Sequence, residues 1–336
     1  MSQVLRIMVA DTTSRARQGG AAWALLQYVL GFRRLGHEVH LVDQLQVNEI
    51  GQDDLRGFDV VLNTSGSLAP DSIAPIPIRV YLDLDPAFNQ LWHLEGIDRR
   101  FAGHTHFVTV GLGIGRDSCS IPTLGLPWIP TLPPVVLEQW PPADGVETTA
   151  LTTVANFRAY GSIEREGVYY GQKVHSLRKL IDLPNLTEAR FVLAMGVHHE
   201  DGADLARLVE NGWELIDPDV VAGTPDDYRR FVRGSWAEIG IAKSGYVSSQ
   251  CGWFSDRSAC YLASGRPVVA QDTGFSEVLP TGEGLFAFSE VDGAIRAIDE
   301  LRLNYGYHAR AARAFANDHL DSDRVLGQLL TTVSAQ

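Results

Sequence analysis

The stretch KSGYVSSQCGWFSDRSACYLASGRPVVAQDTGFSEVLP, residues 243–280, carries the strongest structural pattern in the chain. The Tyr-Val pair at 246–247 predicts a short strand, and Gly252 permits a tight turn after it. Ser255 or Asp256 is a natural N-cap for a following helix. The first half of the stretch therefore predicts a strand, a glycine turn and the start of a helix.

The second half of the stretch predicts the rest of that helix and a buried strand. Small apolar residues recur at helical spacing over 259–263, Gly265 suits the position just past a helix, and Pro267 stops any continuation. The Val-Val-Ala run at 268–270 predicts a strand with polar residues 271–274 at its carboxyl edge. Ligands bind at such edges in open α/β sheets, and a helix N-terminus there offers N–H groups to a phosphate. The stretch therefore predicts a phosphate-binding unit.

Two motifs in this stretch resemble glycosyltransferase signatures. Residues 250–255, QCGWFS, resemble the His-Cys-Gly-Trp-Asn-Ser core of the nucleotide-sugar signature in family 1 glycosyltransferases. Residues 263–274, ASGRPVVAQDTG, are similar to the Ala-Cys-Gly-x-Pro-Val-Val-Ala-x-Asp-x-Gly run of family 4. Both families have the GT-B fold, in which two Rossmann-like domains face each other across a cleft and the end of the chain usually crosses back to the first domain. The resemblance implies that α/β fold for this chain.

The sequence also departs from both signatures. Gln250 stands where family 1 has a phosphate-contacting histidine. Ser258 occupies the position of the ribose-binding acid, with Asp256 two residues earlier. The two glutamates of family 4 would fall on Gly252 and Cys260. The resemblance therefore implies the fold and a donor site, and it leaves the subfamily open.

Composition limits the class of protein. The chain has 336 residues, of which 45% are hydrophobic and 21% charged, as expected for a globular protein with one large or two ordinary domains. A formal net charge of −13 gives no electrostatic footprint for nucleic acid or anionic lipid. The three cysteines have no paired spacing, and no apolar run reaches membrane-spanning length. We therefore expect a cytoplasmic protein without a membrane span, as a monomer or a homodimer.

The first part of the chain predicts a βαβ unit: a strand over 5–10, a helix over 21–35 and a strand over 38–42. No G-x-G-x-x-G is present, so the dinucleotide fingerprint is absent. Gly19 and Gly20 precede the helix and either serve only close packing or, as the fold resemblance implies, meet the acceptor or a phosphate. Arg15 and Arg17 of the same loop are candidate phosphate contacts or merely solvated side chains.

Carboxylates follow two of the predicted strands. Asp83 and Asp85 end a strand over 79–86, and their i, i+2 spacing puts both on one face at its carboxyl end. Asp11 follows the first strand. All three are candidates for the catalytic base, since an inverting transferase must deprotonate the acceptor hydroxyl. The alternatives are a turn at Asp85, a helix cap at Asp83, or a metal-binding Asp-x-Asp pair. His104 is a candidate acceptor contact or an ordinary strand histidine.

A proline-rich segment divides the chain. Residues 122–142 contain seven prolines and predict a semi-rigid linker with little regular structure. With this boundary, the GT-B resemblance implies an acceptor domain at 1–142, a donor domain at 143–310, and C-terminal helices at 311–336 that pack on the first domain.

The fold resemblance implies which residues hold the donor. Arg158, Lys173 and Lys243 are the cations expected at the diphosphate, the segment 220–224 is expected at the base, and the remaining contacts come from the phosphate-binding unit: Gln250, Gly252, Ser255, Asp256, Asp272, Thr273 and Gly274. The family resemblance implies that Asp272, which follows a buried strand, contacts a sugar hydroxyl.

The expected activity is metal-independent transfer, with inversion, of a sugar from a UDP- or dTDP-sugar to a small-molecule hydroxyl. No tightly bound cofactor is expected, since helix N–H groups with Arg and Lys would neutralise the leaving diphosphate. The alternatives are a non-catalytic nucleotide-sugar-binding subunit, a GT-B epimerase or phosphorylase, and a metal-dependent transferase using Asp83 and Asp85.

Overall fold

The computed structural model describes residues 3–11, 19–197 and 199–335. The strands in this part of the chain are β1 Arg6–Ala10, β2 Glu38–Val42, β3 Val60–Thr64, β4 Ile78–Asp83, β5 His106–Thr109, β6 Trp128–Pro130, β7 Leu151–Asn156, β8 Ile163–Arg165, β9 Val168–Tyr170, β10 Phe191–Gly196, β11 Trp213–Ile216, β12 Ala237–Gly240, β13 Val268–Gln271 and β14 Leu285–Phe288. The helices are α1 Gly19–Arg34, α2 Gln44–Glu49, α3 Gln52–Leu55, α4 Pro70–Ile73, α5 Phe88–Leu94, α6 Lys173–Lys179, α7 Gly202–Glu210, α8 Pro218–Ala222, α9 Pro225–Gly234, α10 Ser244–Ser249, α11 Asp256–Ala263, α12 Val291–Leu303, α13 Tyr305–Phe315 and α14 Ser322–Ser334.

Twelve of these strands form two parallel sheets of six. The first has the order β2-β1-β3-β4-β5-β6, and the second has the order β11-β10-β7-β12-β13-β14. β8 and β9 form a separate antiparallel hairpin. In each sheet the order reverses beside the first strand of that half of the chain, which opens a crevice at the carboxyl ends of the strands. The expected α/β architecture with two Rossmann-like halves is confirmed.

The phosphate-binding stretch has a helix where a strand was expected. α11 and β13 lie where the sequence predicts them, and the Ser255 hydroxyl accepts the Arg257 N–H at 3.2 Å as the N-cap. The strand predicted at 246–247 is wrong, because these residues belong to α10 and the strand before it is β12. Tyr246 stacks on Trp253 with 4.7 Å between ring centroids. Tertiary packing of this kind readily overrides the β-propensity of two residues.

The proline-rich segment is more ordered than its composition predicts. Trp128–Pro130 within it forms β6, which pairs with β5 at the edge of the first sheet. Trp140 is fully buried and packs edge-on against Trp23 and Tyr228. The segment thus has little regular structure beyond this short strand, where proline is tolerated because it lies at a sheet edge.

The end of the chain returns to the first sheet, as expected for this fold. Leu326, Leu329 and Val333 of α14 are buried in one hydrophobic cluster with Ile7 of β1 and Phe32 of α1. Gly31 allows this approach, since a Cβ there would lie 2.5 Å from the Leu326 side chain.

A backbone seam joins the two halves at the carboxyl ends of their strands. The N–H of Leu112 donates to the Gly252 carbonyl at 3.1 Å, and the N–H of Gly113 donates to the Cys251 carbonyl at 2.9 Å. Gly252 has φ +74°, and a Cβ there would lie 2.3 Å from the Gly113 nitrogen. Gly252 therefore serves both a left-handed turn and a close approach between the halves. Apolar clusters flank the seam, one around Phe88 and Tyr246 and another around Trp140 and Tyr228.

Candidate functional site

Two adjoining cavities lie between the halves. The first, here the apolar cavity, has a volume of about 200 Å³ and is lined by Asp11, Ala21, Ala24, Gln27, Tyr28, Leu84, Val110, Pro133, Pro134, Trp253, Phe254 and Asp256. The second, here the glycine-lined cavity, has a volume of about 280 Å³ and is lined by Gly19, Gly20, Ala21, Val154, Ala155, Asn156, Pro218, Asp219, Ala222, Gly223, Tyr228, Asp256 and Arg257. Ala21 and Asp256 line both, so the cavities meet there.

The N-terminus of α11 lies where the cavities meet. Asp256 is the first residue of the helix, and Ser255 before it is the N-cap. The first N–H groups of a helix lack partners within the helix and carry partial positive charge. An anion in the glycine-lined cavity would therefore be stabilised at this end of α11.

Arg257 lines the glycine-lined cavity with a guanidinium paired to a buried carboxylate, and the sequence alone did not single it out. Its Nε donates to Oε1 of the fully buried Glu238 at 2.5 Å, and its Nη1 donates to the Val154 carbonyl at 2.9 Å. Its side chain is only 10% exposed. A guanidinium held this firmly at a cavity wall is suited to phosphate recognition. Its place directly after the predicted N-cap is the sequence signal that could have identified it.

The three cations predicted for the diphosphate lie elsewhere. Arg158 pairs with Asp201 at 2.9 Å on the surface. Lys173 is buried and donates to the Ile241 carbonyl. Burial, reinforced by the neighbouring charges of Arg257 and Lys243, holds the pKa of Lys173 well below its usual range. None of the three predicted cations lines either cavity.

Lys243 belongs instead to a polar cluster that joins the halves, here the tyrosine cluster: Asp85, Tyr160, Lys243 and Tyr246. Lys243 Nζ lies 3.0 Å from Asp85 Oδ1, and the Tyr160 hydroxyl donates to Asp85 Oδ2 at 2.5 Å. The Tyr246 hydroxyl also donates to Asp85. Lys243 Nζ lies 4.1 Å from the centre of the Tyr160 ring. Asp85 therefore holds the two halves together, and its carboxylate already has three partners.

Asp83 is buried inside the first half. Its carboxylate accepts hydrogen bonds from Asn89 Nδ2 at 2.6 Å, Gln90 Nε2 at 3.0 Å and Thr109 Oγ1 at 3.0 Å. The Asp85 N–H is a fourth donor at 3.0 Å. Burial raises the pKa of Asp83. With no exposed surface and both oxygens occupied, Asp83 lies where it cannot meet an acceptor.

Asp11 is the predicted base that lines the apolar cavity. It directly follows β1, is 5% exposed, and lies on the wall of the same cavity as Asp256. Burial raises the pKa of Asp256 more than Arg257 and the backbone N–H groups lower it. Tyr28 lies in the same cavity, and burial together with Asp256 raises its pKa.

The loop after β13 is built from its own hydrogen bonds. Asp272 Oδ1 accepts the Gly274 N–H at 2.9 Å, and Oδ2 accepts the Ser276 hydroxyl at 2.5 Å. The fully buried Thr273 donates its hydroxyl to the Trp253 carbonyl at 2.7 Å. Asp272 therefore caps a local turn, a structural role that the sequence did not indicate.

The neighbouring Gln250 and Gly274 also have structural tasks. Gln250 has left-handed backbone, and its Nε2 donates to the Val247 carbonyl at 2.7 Å. Gly274 has φ +96°, and a Cβ there would lie 2.9 Å from the Gln250 carbonyl oxygen. Neither residue lines the two cavities.

The predicted acceptor contacts fall in different places. Gly19 and Gly20 line the glycine-lined cavity, and a Cβ on Gly19 would lie 2.4 Å from the Ala222 carbonyl oxygen of the other half. His104 lies near Asn63 and the Phe101 carbonyl within the first half, and burial lowers its pKa. It lines neither cavity. Arg15 and Arg17 lie outside the described residues.

Within residues 3–11, 19–197 and 199–335, no group of three or more His, Cys, Asp or Glu side chains is arranged to hold a metal ion. In the same part of the chain, no helix combines the length and apolarity needed to cross a membrane.

No family model matches the sequence, and no curated protein is similar to it in sequence. Solved structures do match. HepE from Anabaena in complex with UDP and glucose shares 12% identity over 99% of this chain and 100% of its own, with a TM-score of 0.63. An alpha-glucosyltransferase in complex with UDP and DNA shares 11% identity over 99% and 100% of the two chains, with a TM-score of 0.66. Sucrose-phosphate synthase from Thermosynechococcus elongatus shares 9% identity over 98% and 99%, with a TM-score of 0.59. The chain has the GT-B fold of these glycosyltransferases.

Proposed function

We propose that the protein is a glycosyltransferase that moves a sugar from a nucleoside diphosphate sugar to the hydroxyl of a small acceptor. The observation that carries this proposal is the position of the α11 N-terminus, at the wall shared by two cavities between the halves of a GT-B fold. One cavity offers cation and N–H groups to a diphosphate, and the other offers apolar walls and a carboxylate to an acceptor. We assign residues 1–142 to the acceptor domain, 143–310 to the donor domain and 311–336 to the returning helices.

The donor occupies the glycine-lined cavity in this proposal. Its diphosphate lies against the N-terminus of α11 and Arg257, and its base lies towards α8, which ends within the expected segment 220–224. Gly19 and Gly20 bring α1 close to the opposite half at this cavity, since a Cβ on Gly19 would lie 2.4 Å from the Ala222 carbonyl oxygen and one on Gly20 would lie 3.0 Å from the Tyr228 ring. A UDP-sugar is the proposed donor, supported by the UDP bound in HepE and in the alpha-glucosyltransferase.

The proposed base is Asp11. Its carboxylate takes the proton from the acceptor hydroxyl as that oxygen bonds to the anomeric carbon and the diphosphate leaves. Asp83 and Asp85 are assigned positioning tasks. No glutamate stands at 252 or 260, where the family 4 pair would be, and we therefore propose inversion.

We propose transfer without a divalent metal. The leaving diphosphate is compensated by Arg257 and the α11 N–H groups. The Asp83 carboxylate accepts four hydrogen bonds, and the Asp85 carboxylate pairs with the Lys243 ammonium. Both carboxylates of this Asp-x-Asp pair are therefore occupied by groups of the protein. Treatment with EDTA is expected to leave transfer intact, and loss of activity that Mg²⁺ or Mn²⁺ restores would overturn this part.

We place the protein in the cytoplasm. Cys119, Cys251 and Cys260 are all free thiols, which is typical of a reducing compartment.

The donor site is tested by thermal shift with UDP-, dTDP-, GDP- and ADP-sugars, because a ligand that binds only the folded state raises Tm. UDP-glucose is expected to stabilise the protein. Arg257→Lys should weaken UDP binding about 10-fold by losing the forked contact, whereas Arg158→Lys on the surface should not. No shift with any nucleotide would overturn the donor site. Binding without turnover by the purified chain would favour a non-catalytic subunit, and conversion of the nucleotide sugar without an acceptor would favour an epimerase.

A further inference from the structure

A buried hydroxyl without a partner lies in the apolar cavity. Tyr28 is 2% exposed and lines this cavity, and its hydroxyl has no hydrogen-bond partner among the described residues. An unsatisfied buried hydroxyl costs about 1–3 kcal/mol, so such a group needs an explanation. A ligand that accepts a hydrogen bond from Tyr28 would remove the cost.

The walls of the cavity are mainly apolar and firmly held. Trp253 is fixed by its stack on Tyr246 and by the hydrogen bond from Thr273 to its carbonyl. Phe254 and Val110 are buried beside it. The ring of Trp253 is therefore held in one orientation, and a planar ligand ring can pack against it.

Few of the described residues on the cavity wall are polar. Gln27 is already engaged, since its Oε1 accepts the Val136 N–H at 2.7 Å. The other polar side chains that the described residues place on the wall are Asp11, Asp256 and Tyr28. Burial and Asp256 both raise the pKa of Tyr28, so its hydroxyl stays neutral and able to donate.

The size of the cavity limits its occupant. A cavity of roughly 150 Å³ holds benzene, and this one measures about 200 Å³. One six-membered ring with a substituent fits, whereas a disaccharide or a nucleotide does not fit whole. A sugar ring would bury several hydroxyls against apolar walls, which is costly when they have no partners.

We propose that the apolar cavity takes a phenol or a comparable single-ring alcohol as the acceptor, and that Tyr28 determines specificity by donating a hydrogen bond to the acceptor oxygen. This rests on the proposed function. The acceptor O–H gives its proton to Asp11, its oxygen bonds to the anomeric carbon, and the carbon–oxygen bond to the diphosphate breaks with its electrons going to the phosphate.

The test measures binding apart from transfer. Isothermal titration of the UDP-saturated protein with 4-nitrophenol, nitrobenzene and glucose is expected to give binding in that order, with 4-nitrophenol about 10-fold tighter than nitrobenzene. Tyr28→Phe should abolish this preference, leave the affinity for nitrobenzene unchanged, and hold or raise Tm. Tyr81→Phe is the matched control, since Tyr81 is a fully buried tyrosine of the same half that does not line the cavity. It should leave all three affinities unchanged.

The outcomes separate the two proposals. Tighter binding of glucose than of 4-nitrophenol, or an unchanged phenol preference in Tyr28→Phe, overturns the acceptor assignment. Failure of the UDP-saturated protein to bind any of the three compounds also overturns it. Binding of 4-nitrophenol without transfer from any nucleotide sugar contradicts the glycosyltransferase function and leaves the phenol site intact.

Discussion

Two pairs of aspartates lie at or beside the carboxyl edges of the sheets, and the two pairs have different surroundings. Asp83 and Asp85 follow β4, and their carboxylates are saturated by groups of the protein itself. Asp11 and Asp256, from opposite halves, line the apolar cavity together. All four satisfy the rule that function concentrates at the ends of parallel strands or at a helix start beside them.

The difference shows what that rule leaves out. A carboxylate at a strand end can meet a substrate only when it lies on the wall of a cavity, as Asp11 and Asp256 do. The donors to Asp83 and the ammonium beside Asp85 come from other elements, and in Asp85 from the other half of the chain. We therefore expect the two pairs to respond to substitution in opposite ways, one in stability and the other in transfer.

The largest effect is expected from Asp11→Asn. Loss of a general base slows transfer about 10²- to 10⁴-fold, while the amide keeps the shape of the side chain. Steady-state kinetics should show the loss in kcat with UDP affinity unchanged. Asp43→Asn is the matched control, because Asp43 ends β2 in the same way but caps α2, and asparagine caps equally well. Transfer at the wild-type rate in Asp11→Asn would remove it as the base.

Asp83→Ala should instead unfold the protein more readily. The substitution leaves the Asn89, Gln90 and Thr109 side chains without their acceptor, at a cost of roughly 3 kcal/mol in the free energy of unfolding. Urea unfolding measures the loss, and Asp83→Asn should recover part of it. If Asp83→Ala abolished kcat at unchanged stability, the carboxylate would be catalytic after all.

Asp83 and Arg257 show which features could be predicted from the sequence and which could not. The α/β class, α11, β13 and the returning C-terminal helix follow from local pattern and motif, because their signals lie within a few residues. The task of Asp83 depends on Thr109, 26 residues away, and the position of Arg257 depends on Glu238, 19 residues earlier. The sequence shows that such residues exist, and only the fold shows that they meet.

Asp85→Asn is expected to have an intermediate effect on stability, because it weakens the contact between the two halves. Lys243 loses its carboxylate while it remains partly buried, and the cost is about 1–2 kcal/mol because both side chains keep some contact with solvent. Limited proteolysis should show faster cleavage between the halves, and the KM for the acceptor should rise more than the KM for the donor. Lys243→Met with Asp85→Asn should recover stability relative to Asp85→Asn alone. An acceptor KM equal to that of the wild type would show that the tyrosine cluster does not affect acceptor binding in the apolar cavity.

Asp256→Asn should have the smallest effect, and its sign depends on pH. Burial makes the pKa of Asp256 higher in the folded protein than in the unfolded chain. At any pH above both values the folded protein holds an ionised carboxylate that water would solvate better, so folding is penalised. The penalty disappears as the pH falls below the unfolded value, near 4, because the group is then protonated in both states.

Asparagine carries no such penalty, so Asp256→Asn should raise Tm slightly at pH 7–8, and the gain should vanish towards pH 4. Loss of the favourable interaction of the acid with the helix N-terminus works against the gain and keeps it small. Thermal melts of both proteins from pH 4 to pH 8 measure the difference. A lower Tm for Asp256→Asn at neutral pH would mean that the helix N-terminus and Arg257 outweigh burial, and Asp256 would then belong with the saturated pair.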